Sequence, residues 1–417
     1  MDTKRLILFV VFSFSLLLLW DSWQRQNISP STDASDISQD GIPKPSNEFV
    51  GKADLPNISS GYQLLNGKTI EVKTDKYNLN ISEIGGDIRK LTLSDHLADN
   101  YVDDYVLFSD ASDPVLDSLL YVAQSGLLGK NLPSHKSKFI FEKNSYTLNG
   151  ETLSVPMIFN SPEVSVKKTY QFSEDSYLIN VRYDIQNKTQ STIAPRAYFQ
   201  LIHDGDSNQG TKLTPSFTGP AYYTEEKDFT KFAFSKTEKK SFTHTSNDGW
   251  MGIIQRYFAS AWILSEPISR ELYAKKVADN IYAAGMLTSL PSIEPNKNIS
   301  FEVKLYAGPQ SKDDLVSAAK GMKYSVDYGW LTIIASPLFS VLSGIYKMVG
   351  NWGISIILLT VLIKLLFYPL SAASYRSMAQ MRELAPRLAS MKERFGDDKQ
   401  KMQQAMMELY RTEKINP

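Results

Sequence analysis

Residues 353–370, GISIILLTVLIKLLFYPL, are apolar over a length that suits a membrane span, and they carry one full charge, Lys364. Insertion scales set the cost of a lysine at the centre of a bilayer at roughly 2.5–3.5 kcal/mol. Two accounts of that charge are open. In one, the side chain snorkels: Lys364 stands six residues before Leu370, about 9 Å along a helix, so its ammonium reaches the inner headgroups. In the other, Lys364 lines a wet, protein-walled cavity open to the cytoplasm and attracts acidic segments. Thr360 is one turn earlier, and with Ser355 and Tyr368 it extends a partly polar stripe that favours the second account. A threonine hydroxyl can also bond the carbonyl four residues back, so the stripe alone fits both.

The remaining chain is arranged around that span. Lys4 and Arg5 precede an apolar run, Leu6 to Trp20, with bulky Trp20, Asp21 and Trp23 where a cleavage site needs small residues. Residues 1–23 therefore read as an uncleaved transmembrane signal anchor, a cleaved signal peptide being the competing reading. Residues 24–60, rich in Ser, Asp, Pro and Asn, read as a flexible linker. Over residues 61–310 short stretches such as VSVKKTYQF and YLINVRYDI alternate apolar with polar side chains. They predict one large antiparallel β-sandwich. Residues 311–328 read as a connecting helix with Ser311 as N-cap. Residues 329–349, including Trp330, Leu338 and Ile345, read as an amphipathic helix in the outer interface rather than a span. Had they crossed as well, the basic tail after Leu370 would lie outside, against the positive-inside tendency.

Residues 350–371 form the second transmembrane helix in this scheme, and 372–417 a cytoplasmic helical hairpin joined at Phe395-Gly396-Asp397-Asp398. Met378 and Met381 lie on one apolar stripe of the hairpin, Met402 and Met406 on the other. The chain is expected to continue beyond Pro417.

Composition narrows the chemistry. Lys plus Arg and Asp plus Glu each number 45, so no bulk attraction to nucleic acid is implied. With no cysteine there is no disulfide or thiolate metal site, and His96, His135, His203 and His244 lack ligand spacing. Each histidine is expected at the surface or hydrogen-bonded. No metal, no cofactor and no enzymatic activity are expected. An exported epimerase would need a His with a carboxylate base, and a signalling receptor a nucleotide motif, and nothing selects either.

The run VDYGWLTIIASPLF, then VGNWGISIILLTVLIKLLFYPLSAASYRSMAQMRELAPRL and FGDDKQKMQQAMMELYRTEKINP, resembles the YidC/Oxa/Alb family of membrane protein insertases, Gram-negative type. The resemblance implies a multi-pass protein of the bacterial inner membrane. Its exported domain would be a periplasmic super-sandwich, galactose-mutarotase-like, with the N-terminus and helical hairpin in the cytoplasm. The implied activity is to integrate and help fold inner-membrane proteins, alone or with the Sec translocon, through a positively charged hydrophilic groove. Its partners would be nascent, acidic-tailed membrane proteins, the ribosome and membrane lipids, without specific nucleic-acid recognition. The family motif puts the groove cation at Lys364 and a polar groove residue at Thr360. Lys364 departs from the arginine usual there, which keeps charge but loses the planar donor fork. The alternative is a membrane-anchored periplasmic carbohydrate- or polymer-binding protein.

Overall fold

The computed structural model describes residues 64–98, 100–111, 119–205, 217–326, 332–394 and 399–412. The expected anchor at 1–23 and linker at 24–60 lie outside the described residues. The chain divides into two compact units, Met1–Val326 and Asp327–Pro417.

The first unit is a sandwich of two sheets. Its strands follow from alternation: along Leu178–Asn187 every second side chain, from Ile179 to Ile185, is buried. In space the ten-stranded sheet runs from Phe242–Ser246 through Arg270–Ala278, Ile281–Ser289, Arg196–Asp204 and Leu120–Leu128. It continues through Asp104–Asp110, Ile88–Leu97, Tyr77–Ser82 and Thr69–Lys73 to Ser145–Thr147. The nine-stranded sheet runs from Asp228–Lys231 through Gly219–Thr224, Trp250–Ile254, Phe258–Ile263 and Asn298–Pro309, then Leu178–Asn187, Val164–Ser173, Thr152–Asn160 and Ile140–Phe141. The pairing of Thr69–Lys73 with Ser145–Thr147 is parallel, a departure at one edge from the antiparallel pattern that prevails elsewhere. Between the sheets Trp250, Trp262, Tyr77, Tyr170 and Tyr306 are fully buried. A short helix, α1 (Phe234–Lys239), interrupts the strands.

At the end of the sandwich, Ser311 caps α2 (Lys312–Ala318), its hydroxyl accepting from the Asp314 amide at 3.5 Å. The expected helix over 311–328 is broken, however: α2 stops at Ala318 and a separate 3-10 turn covers Met322–Ser325. The chain turns extended at Ala319, and Gly321 opens the 3-10 turn. That glycine sits at φ +77°, and a β-carbon there would fall 2.2 Å from the Tyr223 ring.

The second unit comprises α3 (Thr332–Val349), α4 (Trp352–Arg394) and α5 (Lys399–Thr412). The sequence VGNW encodes the bend between the first two. Gly350, at φ +69°, donates its N–H to the Tyr346 carbonyl at 2.7 Å, and Asn351 Oδ1 caps α4 by accepting from the Ile354 amide at 3.1 Å. Tyr346 and Trp352 stack across the bend with centroids 4.0 Å apart. The boundary expected at 371 is absent: α4 runs 43 residues, through Pro369 and Pro386. A proline inside a helix removes one N–H bond and kinks it, which here does not end it.

Candidate functional site

Within α4, Trp352–Arg376 is long and apolar enough to cross a bilayer, at 25 residues. At 1.5 Å per residue that is about 37 Å, against a hydrocarbon core of about 30 Å. Lys364 stands at its midpoint, twelve residues from either end. Leu370 is therefore not a helix end near the headgroups, as the snorkelling account assumed. The next charge along α4 is Arg376, about 18 Å of helical rise beyond Lys364.

Thr360, Lys364 and Tyr368 succeed one another at four-residue intervals, so they share a face, and all three are exposed in the described structure. The Thr360 hydroxyl donates to the Ile356 carbonyl at 2.7 Å, which uses its proton and leaves its oxygen free to accept. Ser355 does not join them. It is fully buried, donates to the Asn351 carbonyl at 2.7 Å, and lies five residues before Thr360, roughly 140° around the helix. Its role is in the first turn of α4. Counting residues around the helix, rather than noting polarity, would have separated it from the stripe.

The other expected positions scatter. Trp330 lies outside the described residues, as does the side chain of Met381. On α3, Leu338 is exposed and Ile345 half-buried, while Ile333 at 86% and Met348 at 87% present bare apolar surface. Met378 is exposed; Met402 and Met406 are half-buried along the same side of α5.

The sandwich has a polar interior that alternation alone made legible at one point: Lys168 falls on an inward position of VSVKKTYQF. Its ammonium donates to the carbonyls of Gly85 at 3.1 Å and Gly86 at 3.0 Å, the two positive-φ glycines of a strand turn. Asp87 follows them, fully buried, accepting from Gln124 at 2.7 Å and standing 3.5 Å from the Arg89 guanidinium. Burial pushes Asp87 up to about 6 and Lys168 down to about 8. The chain of bonds extends from Gln200 to Gln124 at 3.0 Å and from Tyr273 to Gln200 at 2.8 Å. Every polar partner named here is part of the protein, and the network fastens the glycine turn to both sheets.

His135 and His203 are buried, and His96 and His244 half-buried. His135 Nδ1 meets the Tyr198 hydroxyl at 2.6 Å, and among the described residues no histidine joins a metal-ligand cluster. A cleft of about 260 Å³ opens beside Trp250, Asp248 and Lys320. Its buried Arg270 donates to the carbonyls of Ile268, Gly249, Leu264, Asn247 and Glu266, so the guanidinium holds loops rather than a ligand.

Comparison with known proteins decides the family. Residues 69–341 match the YidC periplasmic domain, and residues 344–417 match the 60Kd inner membrane protein. The chain belongs to the YidC family of membrane protein insertases. The membrane protein insertase YidC of Methylobacillus flagellatus is 48% identical over 428 residues, covering 100% of this chain and 77% of that protein. Those of Laribacter hongkongensis and Aromatoleum aromaticum are 42% and 41% identical, with the same coverage of 100% and 77%. The sandwich thus lies in the part matched to the YidC periplasmic domain, and α4 and α5 in the part matched to the inner membrane protein. Among solved structures, a galactose mutarotase-like protein from Lactobacillus casei is 11% identical, with a TM-score of 0.41, covering 57% of this chain and 99% of that one. A galactose mutarotase related enzyme from Lactobacillus acidophilus is 10% identical, with a TM-score of 0.38, covering 57% and 97%. Likeness at that distance carries no argument about a ligand or a reaction in the YidC-family sandwich.

Proposed function

We propose that this chain is a membrane protein insertase and chaperone that integrates inner-membrane proteins and helps them fold, alone or beside the Sec translocon, and that Lys364 is the cation that receives their acidic tails. The observation that carries this reading is the position of Lys364 at the midpoint of the span, aligned with Thr360 and Tyr368. At the centre of a hydrocarbon core about 30 Å thick an ammonium is about 15 Å from either headgroup layer, farther than a lysine stem reaches, so hydration supplied by surrounding protein is the economical arrangement. A substrate carboxylate drawn from the cytoplasm neutralises it. Apolar substrate helices then leave past the lipid-facing side of α4, where Leu362, Leu365 and Leu366 are exposed.

Topology supports the reading. Arg376, Arg382, Arg387 and Arg394 follow the span and favour a cytoplasmic end for α4, with the sandwich periplasmic. The match to the periplasmic domain runs to residue 341, inside α3, which agrees with an α3 lying at the periplasmic interface among lipids. The exposed Met378 and the half-buried Met402 and Met406 suit transient contact with varied apolar segments emerging from a ribosome.

The test is insertion of a substrate with an acidic exported tail into proteoliposomes carrying the full-length protein. Lys364→Arg is expected to keep insertion, Lys364→Ala to reduce it, and Lys364→Glu to reduce it further. Equal insertion by the wild type and the Ala and Glu variants would sink the charge role.

A further inference from the structure

We infer that Tyr368 is a positioning residue for the substrate carboxylate, its hydroxyl supplying a donor at a fixed place beside the freely rotating lysine ammonium. This rests on the proposed role of Lys364. A carboxylate offers two oxygens in a plane, and an arginine fork meets both at once. A lysine ammonium is a compact point charge that attracts without fixing the orientation of what it binds. Where one lysine must hold a carboxylate, geometry has to come from a neighbouring donor. On the face of α4 that carries Lys364, two polar neighbours stand one turn away, and the structure separates them. The Thr360 hydroxyl has its proton on the Ile356 carbonyl at 2.7 Å, so it offers only lone pairs, which a carboxylate rejects. Tyr368, four residues after Lys364, is 68% exposed on the same face.

The order along the helix matters as well. Tyr368 is about 6 Å of rise closer than Lys364 to the basic end of the span, the side from which a tail would enter. An acidic tail therefore meets the phenol before the ammonium and is held between the two. Tyr368 sets orientation and Lys364 supplies charge, so the pair selects carboxylates over anions of other shape and over neutral tails.

The experiment measures insertion by the full-length protein in proteoliposomes for two substrates, one with an aspartate in its exported tail and one with asparagine in its place. Tyr368→Phe is expected to lower insertion of the aspartate substrate roughly ten- to a hundredfold, the loss of a single hydrogen bond to a charged group, and to lower that of the asparagine substrate less. In the double variant Lys364→Arg/Tyr368→Phe, the guanidinium fork supplies both donors, so insertion of the aspartate substrate should return to that of Lys364→Arg alone. Equal losses for both substrates, or a double variant no better than Tyr368→Phe, would overturn the inference and assign the tyrosine to packing. If Lys364→Ala is silent with the aspartate substrate, the reading beneath the inference fails. If Lys364→Ala is defective while Tyr368→Phe is silent, only the inference falls.

Discussion

Asp87 and Lys168 show what a charge does when a sheet closes over it. Both are fully buried, and Asp87 Oδ1 has no hydrogen-bond partner, so each holds its charge against the environment. Burial raises Asp87 from 3.8 to about 6, so the folded state binds its proton more tightly than the unfolded chain. Its contribution to stability is therefore full below about pH 3.8 and is lost as the pH rises through about 6. Lys168 moves the other way, from 10.5 to about 8, so its contribution is full above about 10.5 and is lost as the pH falls through about 8. Unfolding of a fragment covering 64–326, followed by urea titration at pH 4.5 and pH 7, is expected to show a midpoint that falls across that interval on account of Asp87. Asp87→Asn, which removes the titrating group, is expected to flatten the difference between the two pH values. An unchanged difference would mean that other carboxylates set the slope. Of this cluster only the inward position of Lys168 was legible in the sequence. Its partners come from strands far apart in the chain, and no local pattern encodes such meetings.

At the scale of elements, the signals that were legible were the local ones. Ser311 marked the start of α2. Turns packed against distant residues were not legible. Gly321 opens the 3-10 turn after α2 with its backbone against the Tyr223 ring, a neighbour nearly a hundred residues away in sequence. Gly321→Ala is expected to cost about 1–3 kcal/mol for the left-handed backbone alone, and more from the clash with Tyr223. Chemical denaturation of the same fragment measures it, and a loss under half a kcal/mol would show that the turn relaxes freely. The boundary expected at 371 failed for a different reason. There the composition changes from apolar to polar while the conformation does not, and hydropathy reports only the first. Pro369 lies inside the continuous helix, where a proline kinks more readily than it terminates.

For the molecule as a whole, the sandwich was legible from alternation, and the span from a single apolar run. The geometry of the site was not, because it depends on where the helix begins and ends. The helix continues past Leu370, and in the apolar segment Trp352–Arg376 Lys364 is the middle residue. That position makes the wetness of one face of α4 the decisive property, and it can be measured without any substrate. The chain has no cysteine, so a single introduced thiol reports alone. Lys364→Cys and Leu366→Cys stand two residues apart, roughly 200° around the helix, and Leu366 is 71% exposed. Leu366 is also the closer of the two to Arg376 and the basic end of the segment. If only depth governed access, a water-soluble maleimide added to inverted membrane vesicles would label Leu366→Cys at least as fast as Lys364→Cys. If protein keeps one face hydrated, Lys364→Cys reacts faster despite its greater depth, because the reactive thiolate forms only where water reaches the sulfur. Thr360→Cys, one turn deeper on the same face, is expected to react as well, and Ser355→Cys, buried in the first turn of α4, to stay unlabelled. Labelling of Leu366→Cys with Lys364→Cys silent would place the lysine face against lipid, and with it the ammonium beyond the reach of any substrate tail.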